Sequence, residues 1–122
     1  MNYNIRMGRP EMEKFWNEIS VKYKTKSIKK YEIQLFKKLV KTFNFLSNNP
    51  KHPGLKSHEI TSLTKRYGIK VFQSYLENNK PAAGRIYWVY GPDKKDITII
   101  GIEPHPEDKK NGGYDKVKLS DC

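Results

Sequence analysis

Residues 84–102, GRIYWVYGPDKKDITIIGI, decide the fold. Arg85 to Tyr90 is an unbroken run of aromatic and β-branched residues behind one arginine, the composition of a half-buried or buried strand. Gly91-Pro92-Asp93 and the charged Lys94-Lys95-Asp96 read as a hairpin loop. Ile97 to Ile102 is the most apolar stretch of the chain and is expected at the centre of a sheet. Side chains alternate along a strand, so Ile86, Trp88 and Tyr90 share one face, while Arg85, Tyr87 and Val89 share the other. The larger apolar set should be covered and the face with Arg85 and Tyr87 left open.

Working back from that hairpin, Asn78-Asn79-Lys80-Pro81 marks a turn, and Ile69 to Glu77 reads as a third antiparallel strand. In it Phe72, Ser74 and Leu76 point inward, and Val71, Gln73 and Tyr75 outward. Arg85, Tyr87, Gln73 and Tyr75 then share one partly polar surface. Leu55 to Leu63 fits neither period. Lys51-His52-Pro53-Gly54 is a turn-rich connector. Upstream, Ile28, Tyr31, Leu35, Phe36, Leu39, Val40, Phe43 and Leu46 recur at spacings of three and four, which predicts a helix ended by Asn48-Asn49-Pro50. Phe15, Trp16 and Ile19 give a second apolar face behind Pro10, Glu11 and Glu13, residues suited to a helix start. Tyr3, Ile5 and Met7 alternate as a short strand.

The expected architecture is α+β: an N-terminal strand, an antiparallel helix pair, then a three-stranded antiparallel meander with the helices packed on one face. At 122 residues, 1–122 is expected to be a single domain, with 107–122 a loosely docked or flexible tail.

The chain carries 24 Lys+Arg against 13 Asp+Glu, a net charge of +11, which favours phosphate polymers or acidic proteins as partners. Aromatic residues at 12% argue against a disordered polycation. No apolar run approaches the roughly 18–20 residues of a membrane helix, and MNYNIRMGRP lacks a signal-peptide core, so a cytoplasmic protein without a membrane is expected. Cys122 is the single cysteine, which leaves no disulfide or cysteine-based zinc site. His52 and His58 flank the proline turn, and no metal or cofactor is expected there. His105 sits between Pro104 and Pro106 at a strand end, and histidine is a residue type suited to acid–base work.

Three pieces, in this order, resemble the RelE/ParE superfamily of bacterial toxins from type II toxin–antitoxin modules. They are LSNNPKHPGLKSH at 46–58, Tyr75 followed by GRIYWVY at 84–90, and the apolar strand entering Glu103-Pro104-His105-Pro106. The resemblance covers about residues 3–106 and implies a RelE/ParE-like fold. It implies a ribosome-dependent mRNA endonuclease that needs no metal, in which the RNA 2′-OH attacks the adjacent phosphate to leave a cyclic phosphate. It also implies two partners, a cognate antitoxin and mRNA on the ribosome. The catalytic set it implies is Arg85 on the scissile phosphate, with His105, Tyr75 and Tyr114. Lys109, Lys110, Gln73 and Tyr87 would contact RNA. The best-studied cutters carry two basic residues on the strand before the arginine, where this chain has Gln73 and Tyr75, or Phe72 and Ser74 in the slipped register. The alternative is therefore a non-catalytic binding protein of the same fold, or a poison of DNA gyrase.

Overall fold

The computed structural model describes residues 2–8, 10–76 and 84–103. Their elements in chain order are β1 (Asn4–Met7), α1 (Glu11–Lys24), α2 (Lys30–Asn48), a single 3-10 turn (Pro53–Leu55), β2 (His58–Glu59), α3 (Thr61–Tyr67), β3 (Phe72–Tyr75), β4 (Arg85–Tyr90) and β5 (Asp96–Glu103). The predicted tail, 107–122, lies outside the described residues.

The strands form one sheet in the order β1-β5-β4-β3-β2. β3, β4 and β5 are antiparallel neighbours, β1 lies parallel to β5, and β2 adds a short antiparallel edge to β3. β5 has a neighbour on each side, and Ile97, Ile99 and Ile100 are fully buried in it. Ile97 and Ile99 alternate with Thr98, but Ile100 and Ile102 fall out of phase with them, and a bulge resolves the conflict. Tyr87 pairs with Gly101 and Trp88 with Ile99, so Ile100 is the extra residue. Ile97, Ile99 and Ile102 thereby pack on one face and Ile100 on the other.

One face carries the helix pair. Met12 of α1 and Leu39, Phe43 and Leu46 of α2 pack on Ile86, Trp88, Ile97 and Ile99. Between the helices runs an aromatic ladder, with Tyr23 stacked on Phe36 at 4.6 Å, Phe36 on Trp16 at 5.3 Å, and Trp16 edge-on to Phe43 at 5.2 Å. Glu32 fastens the start of α2, where its carboxylate accepts the Lys29 N–H at 3.2 Å. That hydrogen bond holds the Glu32 carboxyl below its ordinary range; desolvation opposes it, and Lys22 at 3.2 Å adds to the lowering. α2 ends where Asn49 turns extended ahead of Pro50.

The opposite face is not open, which corrects the sequence expectation. α3 lies over it, and Ile60 and Leu63 pack with Val71, Tyr87, Val89 and Ile100 into a second buried cluster. Gly68, left-handed at φ 76°, closes α3 and accepts no side chain without strain. The parity assigned to β3 and β4 holds: Ile86, Trp88 and Leu76 face the helix pair, and Val71, Tyr87 and Val89 face α3. The third strand is shorter than Ile69 to Glu77, because Ile69 to Val71 connects α3 to the sheet.

Candidate functional site

Arg85 opens β4 and stands opposite Tyr75 of β3 in the register. On its other side it pairs with Glu103, the last residue of β5. Parity puts Arg85 and Tyr75 on the α3 side of the sheet, and both are half-buried there. A guanidinium and a phenol therefore flank each other at one end of the sheet. The chain leaves β5 for the segment carrying His105 from the position opposite Arg85. His105, Lys109, Lys110 and Tyr114 lie outside the described residues.

Gln73 and Tyr87 do not line an exposed surface. Both are buried, and the Gln73 amide donates to the Tyr87 hydroxyl at 3.2 Å. Each thus satisfies a polar atom of the other under α3, the ordinary fate of an amide and a phenol taken out of water. They help to hold the sheet on which Arg85 and Tyr75 sit. Among the described residues no group of three His, Cys, Asp or Glu side chains could hold a metal ion. No helix of the described residues is long and apolar enough to cross a membrane.

Sequence reasoning missed a second concavity, on the helix-pair side of the sheet. It is a cleft of about 870 Å³ between the 50–57 loop and the ends of β3 and β4. Lys51, Lys56 and Lys70 line it together with Phe72, Trp88 and Tyr90. Phe72 stacks on Trp88 at 4.8 Å, and Tyr90 meets both rings edge-on, at 5.6 and 5.0 Å. Trp88 is buried, whereas Tyr90 is 40% exposed. Burial, and then the neighbouring Tyr3, push the Tyr90 phenol above its ordinary range, so it stays a neutral hydroxyl at pH 7.

The loop is clamped to this aromatic floor. The Trp88 indole N–H donates to the Ser74 hydroxyl at 2.8 Å, Ser74 and Ser57 share a hydrogen bond of 2.6 Å, and the Ser57 hydroxyl donates to the Pro50 carbonyl at 2.9 Å. His52 stacks on Phe45 at 4.7 Å, and its Nδ1 accepts the Gly54 N–H at 3.0 Å. A Cβ on Gly54 would lie 3.1 Å from that ring, so glycine permits the approach. With Nδ1 accepting, the neutral ring carries its proton on Nε2. Lys56 holds a left-handed backbone at φ 51°, ψ 40°, uncommon for a residue with a side chain.

The signal for this cleft was in the sequence. Lys51, His52 and Lys56 occur within one proline turn, and Trp88 and Tyr90 share the parity of the covered face. What the sequence does not state is that the turn folds back over the β4 end. Comparison of the chain with protein-family models, with curated proteins and with solved structures finds no match.

Proposed function

We propose that the protein is an RNA-directed toxin of the RelE/ParE kind, the toxin of a type II toxin–antitoxin module that cuts mRNA on the ribosome. The observation that carries this reading is the cross-strand pairing of Arg85 with Tyr75 at the sheet end where β5 delivers the chain toward His105. The net charge of +11 supports a polyanionic target.

The chemistry asks for few groups. A base takes the 2′-OH proton, and the 2′ oxygen bonds to the adjacent phosphorus. The bond from phosphorus to the 5′ oxygen breaks, and an acid protonates that oxygen. The products are a 2′,3′-cyclic phosphate and a 5′-OH. Arg85 suits the charged phosphorane, because a planar guanidinium donates two parallel hydrogen bonds to phosphate oxygens. His105 and Tyr75 are the candidates for proton transfer, and Tyr114 for stacking or acid duty. Lys109 and Lys110 would contact RNA phosphates, and a cognate antitoxin would neutralise the basic surface. Gln73 and Tyr87 act in this reading by supporting β3 and β4 from beneath α3.

Growth after induced expression, with primer extension on mRNA from a translating extract, tests this proposal. The wild type should arrest growth and cut mRNA, and Arg85→Ala with an unchanged circular dichroism spectrum should do neither. Full toxicity in an Arg85→Ala, His105→Ala double variant would overturn it. A second reading, a non-catalytic binding protein or gyrase poison, is favoured by one observation: where a basic pair would stand, β3 offers buried Gln73 and half-buried Tyr75, or half-buried Phe72 and buried Ser74 in the slipped register, none of them basic. Inhibition of gyrase supercoiling by the purified protein, with mRNA left intact, would select that reading.

A further inference from the structure

We propose that the cleft between the 50–57 loop and the end of β4 is a separate binding site for a short run of single-stranded nucleic acid. It lies on the helix-pair side of the sheet, away from Arg85, so it stands or falls independently of the endonuclease reading.

Four observations converge on that ligand. The first is charge. Lys51, Lys56 and Lys70 line the cleft, and no carboxylate joins them among its described lining residues. Three ammonium groups without a counter-charge suit successive phosphates. The second is the exposed ring surface. Tyr90 and the half-buried Phe72 stand on a buried Trp88, so an incoming base meets aromatic surface held by aromatic packing. Stacking of this kind accepts any base, because each has a π-face.

The third is pre-organisation. The Trp88–Ser74–Ser57–Pro50 hydrogen-bond chain fixes the lysine-bearing loop to the ring-bearing strand. Phosphate and base subsites are therefore held relative to each other before a ligand arrives. The strained Lys56 backbone belongs to the same loop, where strain persists only because the surroundings impose it. The fourth is size. A volume of about 870 Å³ is at the upper end of ligand sites, which run from about 300 to 1,000 Å³. A duplex keeps its bases stacked on one another and offers the rings no base face.

Fluorescence anisotropy of labelled hexauridylate, read with the full-length protein, tests the site. Unlabelled hexauridylate should compete well, and uridine monophosphate, duplex RNA and inorganic polyphosphate of matched charge should compete poorly. Tyr90→Ala should weaken binding about tenfold, as expected for the loss of one stacked base. Tyr90→Phe should retain it, since the ring rather than the hydroxyl does the stacking. Lys56→Gly should weaken binding and reduce its salt dependence while raising the melting temperature, because glycine relieves the left-handed backbone. Lys94→Ala in the β4–β5 loop is the control and should leave binding near the wild-type value. Three results would each overturn the site: equal competition by polyphosphate, equal competition by uridine monophosphate, or wild-type binding by Tyr90→Ala with its fold intact.

Discussion

At the scale of single residues, the polar atoms buried against the sheet explain more than the charges do. Ser74 is fully buried between the Trp88 indole and Ser57, accepting from the first and sharing a hydrogen bond with the second. Removing its hydroxyl leaves a buried indole N–H without that acceptor, which costs about 1–3 kcal/mol. Ser74→Ala should therefore lower stability by that amount in urea denaturation, and should also loosen the 50–57 loop. An unchanged unfolding midpoint would show that the hydrogen-bond chain does not clamp the loop. Tyr87 teaches the same lesson from the other side. A tyrosine in a strand reads equally well as a surface aromatic or a core one, and its partner Gln73 settles the matter only once the two strands are in register.

At the scale of elements, α3 is the piece that changes the picture. Leu63 is fully buried in the cluster over Tyr87 and Ile100, so Leu63→Ala should cost about 2–5 kcal/mol. Amide exchange should then rise first in 61–67 and β2, with α2 still protected; uniform loss of protection would mean that α3 is not a separate layer. The alternation of β4 and the three-and-four spacing of α2 were legible because each repeats over enough residues to define a period. α3 has seven residues and one buried apolar side chain, too few for a period, and so the face it covers read as open. The bulge at Ile100 left a trace too short to define a period: Ile97-Thr98-Ile99 alternates, and Ile100-Gly101-Ile102 resumes in the opposite phase. The start of α2 carries a pH signature. Glu32 is held below its ordinary value of 4.5, first by the Lys29 N–H and then by Lys22. A lowered carboxyl in the folded state stabilises the protein above the unfolded value, and that contribution fades as pH falls through the folded value. The melting-temperature difference between wild type and Glu32→Gln should thus be present at pH 7 and shrink toward zero below pH 4; a difference constant across that range would contradict the assignment.

At the scale of the whole molecule, one sheet separates two sets of functional groups. The α3 side carries Arg85 and Tyr75 at its end, half-buried and in register. The helix-pair side carries the lysine and aromatic cleft. The strand end with Arg85 could be read from sequence because arginine leads an otherwise apolar run. For the cleft the sequence shows the residues but not their meeting, which depends on a loop folding over a strand some thirty positions away in the chain, as the hydrogen bonds linking Pro50, Ser57, Ser74 and Trp88 record. In the proposed function Arg85 stabilises attack by the RNA's own 2′-OH. The most direct measurement is the chemistry of the ends left on mRNA after induction. The wild type should leave 2′,3′-cyclic phosphate and 5′-OH termini, and Arg85→Ala none above background. Termini bearing 3′-OH and 5′-phosphate, or cleavage undiminished in Arg85→Ala, would contradict it.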